Sequence, residues 1–381
     1  MRIMTDMTEM TLEELADLPE GTRLLIDTRD EISISYGTIP GAVHIPDLME
    51  QAERGALPKD RRLILFCMHG TGSLPLAESL REMGYQAFSL KNGYSAWLRK
   101  NLTPADRSAE IENALRKVRR FHEKLMTPFT RAIREYQLLR PGDKVAVCIS
   151  GGKDSMLMAK LFQELKRHRK FPFELEFLVM DPGYNELNRV MIETNAAALG
   201  IPVNIFETDI FHIVDGVSQS PCYLCARMRR GHLYHRAKEL GCNKIALGHH
   251  FDDVIETILM GMLWSGQFQT MMPKVHSQHF EGMELIRPMS LIREDDIKAW
   301  RDYHGLHFIQ CACHFTDTCS SCREDGAPVS KRMETKQLIR KLHETNPDVE
   351  ANLYNTARCV NLDKVLGYKQ KGTEHSFLDD Y

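Results

Sequence analysis

The sequence predicts an α/β fold with parallel sheets, and three observations carry that expectation. Val145-Ala-Val-Cys-Ile149 is an apolar run with β-branched residues and reads as a buried strand. Ser150-Gly-Gly152 then turns the chain, and Met156–Lys166 has helical periodicity. Arg62–Phe66 leads likewise through a glycine-rich turn, Cys67–Ser73, into a helical Leu74–Met83. Beyond Lys144, strand-like and helix-like segments alternate, an order that covers both faces of a parallel sheet with helices.

Size and charge bound what such a fold can do. With 381 residues, 43% apolar and 27% charged, the chain suits two or three globular domains. No apolar run reaches membrane-spanning length, and Met1-Arg-Ile-Met-Thr-Asp6 lacks the core of a secretion signal, so a cytoplasmic setting without membrane association is expected. A net charge of −3 gives no nucleic-acid signature over the whole surface. Residues 1–105 carry 11 Lys/Arg against 15 Asp/Glu, whereas 116–140 carries eight Lys/Arg against Glu123 and Glu135. That block reads as a solvated helix face or as a surface for RNA phosphates. Of ten cysteines, six cluster in 222–225 and 311–322, which suggests metal or sulfur chemistry in a reducing compartment.

Taken in order, Leu24–Arg29 is a short buried strand running into charged loop residues, and Arg62–Phe66 is a second. The next turn puts Cys67 first, where loop amides and a helix N-terminus favour a thiolate or persulfide anion. The plainer alternative is a small buried cysteine at a strand end. Ile26-Asp-Thr-Arg29, Gly37-Thr-Ile-Pro-Gly-Ala-Val-His-Ile-Pro46 and Leu90-Lys-Asn-Gly-Tyr-Ser-Ala-Trp97 follow the order of the rhodanese domain's motifs. Residues 8–103 therefore resemble that domain, which implies a rhodanese-like sulfurtransferase with Cys67 as catalytic persulfide carrier. Many rhodanese loops carry arginines after the cysteine; this one has His69 and ends in Ser73. That favours a persulfide handed over by another protein, such as a cysteine desulfurase, over thiosulfate.

Residues 104–141 read as a helical linker: Arg107–Glu123 is helical, Pro128 interrupts it and Phe129–Leu139 resumes. The expected order then is strand 145–149, helix 155–168, strand 174–180, helix 185–199, strand 202–206, helix 223–240, strand 244–247 and helix 252–263. Ligands of such sheets sit beyond the carboxyl ends of the strands. Ser150–Ser155, Asp181 and Gly248-His-His-Phe-Asp-Asp253 fall there, although Asp181 and Asp252 equally suit a turn and a helix cap. Glycines before a helix N-terminus cradle phosphate, and Lys153 adds a point charge. Ser-Gly-Gly-Lys-Asp-Ser155 lacks Walker A spacing but resembles the PP-loop of N-type ATP pyrophosphatases. That superfamily cleaves ATP between the α- and β-phosphates and adenylates a carbonyl oxygen. The expected ATP-binding set is Ser150, Gly151, Gly152, Lys153, Asp154, Ser155, Asp181, His249 and Asp253. Asp154 is expected to be catalytic, and Asp154 and Asp253 to face Mg²⁺ or the pyrophosphate.

Cys222-Tyr-Leu-Cys225 opens a helix with a spacing that serves one metal, one cluster or a redox pair. Later cysteines at 311, 313, 319 and 322 would complete a zinc knuckle. Residues 124–355 resemble the TtcA family, PP-loop enzymes that make 2-thiocytidine in tRNA. The resemblance rests on Gly142–Ser155, Cys222–Gly231, Lys244–Asp253, Met272–Lys274, Ile286–Pro288 and Ile309–Cys311. It implies a [4Fe-4S] cluster on Cys222, Cys225 and Cys311 with one iron open to sulfide. Cys313, Cys319 and Cys322, in an insertion near 312–327, would close it if one of them ligated; Zn²⁺ is the alternative. Arg227, Arg229 and Arg230 are candidate tRNA phosphate contacts, or a plain solvated face.

The organisation expected is thus a rhodanese-like α/β domain (8–103), the linker (104–141), a Rossmann-like PP-loop domain of the adenine nucleotide α-hydrolase type (142–355) and a tail (356–381). The function expected is ATP-dependent sulfur transfer to a tRNA base, the sulfur being relayed from Cys67; a homodimer is admitted. The alternatives are thiolation of another RNA position or a metabolite, or a non-catalytic zinc-bound relay or redox module.

Overall fold

The computed structural model describes residues 8–102, 106–215, 221–308 and 331–379. The first stretch builds a sheet from β1 (Glu9–Met10), β2 (Arg23–Asp27), β3 (Arg62–Phe66) and β4 (Ala87–Leu90), ordered β1–β4–β3–β2 and parallel throughout. Central β3 is apolar on both faces, so Leu63, Ile64, Leu65 and Phe66 are fully buried. It runs through the Cys67 turn into helix Ser73–Glu82, and β4 runs into helix Gly93–Lys100.

The second sheet comprises β5 (Lys144–Ile149), β6 (Glu174–Asp181), β7 (Val203–Glu207), β8 (Lys244–Ala246), β9 (Lys274–His276) and β10 (Glu284–Ile286). Their order is β7–β6–β5–β8–β10–β9, and all pairs are parallel except β9 with β10. The strands and helices expected from 145 to 263 are all present, with ends shifted by no more than two residues. The chain builds outward from β5 through β6 to β7, then returns to place β8 on the other flank of β5. That reversal leaves a crevice at the carboxyl ends of β5 and β8.

The 104–141 stretch is more than a connector. Helix Ser108–Lys117 ends at Val118, whose backbone is extended; a π-helical turn (His122–Met126) and helix Thr127–Glu135 follow, with Pro128 tolerated in the first turn. Dense charge masks an apolar stripe at helical spacing, Ile111, Leu115, Phe121, Leu125 and Phe129, all buried. One apolar cluster runs through it, from Ile64, Phe66, Tyr94 and Leu98 to Met156, Trp300 and Phe308. The two sheets therefore share a core.

Beyond the PP-loop sheet, helices Lys331–Thr345 and Val349–Thr356 pack on helix Phe251–Ser265 around Ile255, Leu259 and Ile339. The tail forms a hairpin of β11 (Gly367–Gln370) and β12 (Thr373–Ser376). Its two turn residues, Lys371 and Gly372, have φ 50° and 87°, as a two-residue hairpin turn requires.

Candidate active site

β5 delivers Ser150 to the crevice. The Ser150 amide donates to Ser155 Oγ at 3.1 Å, and that hydroxyl donates to the Gly152 carbonyl at 3.0 Å, closing the loop on itself. Gly151 adopts φ 86°, and Gly152 precedes the first turn of helix Lys153–Arg167, whose leading amides have no intrahelical acceptor. The turn after β8 touches this loop: a Cβ on Gly248 would lie 3.2 Å from the Ser155 nitrogen, so any larger residue there would press the two backbones apart. Across that contact His250 Nε2 lies 3.9 Å from Asp154 Oδ1. Asp154 Oδ1 and His249 Nδ1 are buried and have no hydrogen-bond partner among the described residues. Buried polar atoms ordinarily have one, so two such atoms on two touching loops mark a site built for a polar ligand. Burial lowers the His249 pKa to about 4, keeping its ring neutral near pH 7.

Lys153 is 2% exposed and lies 3.2 Å from both Asp154 Oδ2 and Glu294 Oε1. Glu294 also receives Lys298 at 3.2 Å and Lys336 at 2.5 Å. Burial raises its carboxyl pKa, yet the lysines more than reverse this, and it stays ionised far below the usual range. Burial likewise opposes charge on Lys153, but Asp154, Tyr36 and Glu294 outweigh it and hold the ammonium. Lys153, Lys298 and Lys336 thus gather three ammonium groups around Glu294, with Asp154 and Asp295 as further carboxylate partners. Glu294, Lys298 and Lys336 were not among the residues singled out from sequence. They lie more than 130 positions from the loop, in no recognisable motif.

Two of the expected ATP ligands make protein contacts of their own. Asp181, at the end of β6, accepts from the Gly183 and Tyr184 amides at 2.9 and 2.7 Å and from Arg189 at 2.6 Å: it caps a turn, the alternative its position left open. Asp253 accepts from the His250 amide at 2.9 Å, completing a capping box, and from Arg332 at 2.6 Å. Burial raises its pKa, but His250 and Arg332 more than offset that and hold it below normal. Asp154 keeps a buried oxygen without a partner among the described residues, and a hard carboxylate of that kind could hold Mg²⁺.

In the N-terminal sheet, Cys67 is 7% exposed. Its Sγ accepts from the Gly70 and Gly72 amides at 3.1 and 3.3 Å and faces Ser73 Oγ at 3.6 Å. Ser73 Oγ in turn meets Ser89 Oγ at 2.8 Å. Gly70 has φ 88°, and a Cβ on Gly93 would overlap the Cys67 carbonyl, so these glycines fix the turn. Such a ring of donors is arranged to receive an anionic sulfur.

Cys225 is a free, half-buried cysteine on helix Pro221–Glu239, packed against Met180, Ile210 and Val214. Ile149 pairs in register with Val179, so Met180 lies beside the first residue of the loop after β5, and Cys225 reaches the same sheet edge. The backbone places Cys222 one turn earlier in that helix; its side chain, and all of Cys311, Cys313, Cys319 and Cys322, lie outside the described residues. Among the described residues no three ligands gather to hold a metal. Arg227 and Arg230 are exposed, whereas Arg229 packs over Phe211 at 5.4 Å.

A PP-loop domain model matches residues 120–314, about half of the chain, and a rhodanese-like domain model matches residues 11–100. A tRNA-cytidine(32) 2-sulfurtransferase of Anaeromyxobacter dehalogenans (strain 2CP-C) is 32% identical over 242 residues, covering 63% of this chain and 80% of that protein. One of Paracidovorax citrulli (strain AAC00-1) is 32% identical over 268 residues, covering 69% and 81%. Among solved structures, the U34-tRNA thiolase NcsA from Methanococcus maripaludis with its [4Fe-4S] cluster aligns at 21% identity and a TM-score of 0.47, over 61% of this chain and 76% of that one. A likeness at that level bears on neither cofactor nor substrate.

Proposed function

This chain belongs to the PP-loop family that includes the tRNA-cytidine(32) 2-sulfurtransferases, and from that premise we propose that it is an ATP-dependent tRNA sulfurtransferase carrying its own sulfur-receiving domain. The observation that carries the reading is the contact between the Ser150–Ser155 loop and the Gly248–Asp253 turn, with the unpartnered Asp154 oxygen between them. The loop amides and Lys153 bind the ATP phosphates, while Asp154 holds Mg²⁺. The 2-oxo oxygen of a cytidine attacks the α-phosphorus, and the bond to the β-phosphate breaks to release pyrophosphate. A sulfur nucleophile then adds at C2, and AMP leaves with the oxygen. The chain's part is to position these groups and neutralise phosphate charge.

Sulfur enters at Cys67. Its thiolate attacks the outer sulfur of a donor protein's persulfide, the donor's thiolate leaves, and the Gly70 and Gly72 amides hold the new anion. Sulfide leaves when a second thiol attacks the inner sulfur of the Cys67 persulfide and forms a disulfide with Cys67. Cys225, with Cys222 and Cys311, would hold a [4Fe-4S] cluster, which when bound supplies an open iron for that sulfide; a free thiol at the crevice edge fits that role. Arg227, Arg230 and the exposed arginines of 116–140 contact tRNA phosphates.

Nucleoside mass spectrometry of tRNA from a deletion strain tests this. The 2-thiocytidine signal disappears and returns with the wild-type gene but not with Asp154→Asn. An unchanged thionucleoside profile in the deletion overturns the substrate.

A further inference from the structure

The PP-loop half does not build the ammonium cluster alone. Tyr36, which follows the short helix Glu31–Ser35 of the N-terminal domain, has its ring centred 4.8 Å from the Lys153 ammonium. None of the charged partners of Lys153 is exclusive to it, since Glu294 is shared with Lys298 and Lys336, and Asp154 faces His250. An aromatic face attracts a desolvated cation through its quadrupole yet brings no counter-charge. A carboxylate in the same place would neutralise the lysine and repel phosphate; a ring steadies it and leaves its charge for the ligand.

Tyr36 is fixed from behind. The Gly37 carbonyl accepts from Arg29 Nη2 at 2.8 Å, and Arg29 is clamped by Asp27 at 2.6 Å and lies 3.9 Å over the Tyr94 ring. Gly37 has φ 140°, and a Cβ there would press on Tyr94 Oη at 3.0 Å. The Tyr94 amide donates to the Cys67 carbonyl at 2.9 Å. A continuous chain of contacts thus leads from the Cys67 turn to Lys153. Burial raises the Tyr36 pKa, so the phenol stays protonated and the ring uncharged.

We infer that the nucleotide site is composite: Tyr36 of the rhodanese-like domain is a positioning residue that holds Lys153 for the ATP phosphates. Tight ATP binding therefore requires the sulfur-receiving domain to be docked. This rests on the PP-loop reading above.

The test uses the full chain and the non-cleavable analogue α,β-methylene-ATP with Mg²⁺, titrated by calorimetry, together with pyrophosphate release from ATP in the presence of tRNA. Tyr36→Leu weakens analogue binding about five- to tenfold and raises the KM for ATP more than it lowers kcat. Tyr36→Phe, which keeps the ring face, recovers most of that loss. Phenylalanines of increasing fluorination at position 36 keep the shape while draining the quadrupole, and binding weakens stepwise along the series even if Tyr36→Leu fails to fold. In Lys153→Ala, the Tyr36 substitution has no further effect. Fluorination without effect on binding, while Lys153→Ala weakens it, overturns the role of Tyr36 and leaves the PP-loop reading intact. A wild-type chain that binds no analogue overturns that reading, and this inference with it.

Discussion

Cys67 shows how a single residue acquires its chemistry from geometry. Two amides and a serine hydroxyl face its sulfur. Cys67→Ser removes the sulfur yet keeps the turn. Persulfide trapped by alkylation on the N-terminal domain disappears in that variant, while the chain still binds an ATP analogue. Glu256 makes a different prediction. Burial raises its pKa from 4.5 to about 7, although Arg332 and Lys336 pull the other way. The folded state therefore holds a proton that the unfolded chain has released, and this residue's contribution to stability falls as pH rises from about 4.5 to 7. Glu256→Gln removes that decline, so urea melts of the variant and the wild type diverge with rising pH, by at most roughly 3 kcal/mol. A constant difference across that range contradicts the assignment.

At the scale of elements, helix Phe251–Ser265 begins on a capping box closed by Asp253, which also anchors Arg332 of helix Lys331–Thr345. Asp253→Ala loses both; chemical denaturation reports a loss of about 1–3 kcal/mol, beyond any effect on ATP. Motif position suggested a phosphate-side carboxylate here; its contacts to the His250 amide and Arg332 give it a structural role that the motif did not announce. The strand–turn–helix units were legible because their signals are local: an apolar run, two glycines, a helical stripe. The places of Asp154 and Cys67, in the turns after β5 and β3, were legible for the same reason. Three-residue β9 and β10 carry too little pattern to read, and Glu294, Lys336 and Tyr36 meet Lys153 across more than 100 residues of chain. In the stretch from 107 to 123, surface charge concealed the apolar stripe that makes it a core layer.

At the scale of the molecule, the shared core joins what motif reading separates. Tyr94 stacks on Trp97 at 5.7 Å, and Trp97 meets His307 of the PP-loop half edge-on at 4.8 Å. Arg107 Nη1 donates to the His304 carbonyl at 2.7 Å, tying the joining helix to the same corner. Differential scanning calorimetry therefore yields one cooperative transition for the full chain. Two resolved transitions, one per sheet, contradict a common core.

That union limits how cargo moves. Fused carriers often work as arms on a tether, swinging between loading and unloading stations. A domain whose Trp97 packs edge-on against His307 is held where it docks. In the proposed relay Cys67 is then a fixed berth, and whatever it receives must cast off and cross the remaining gap by itself.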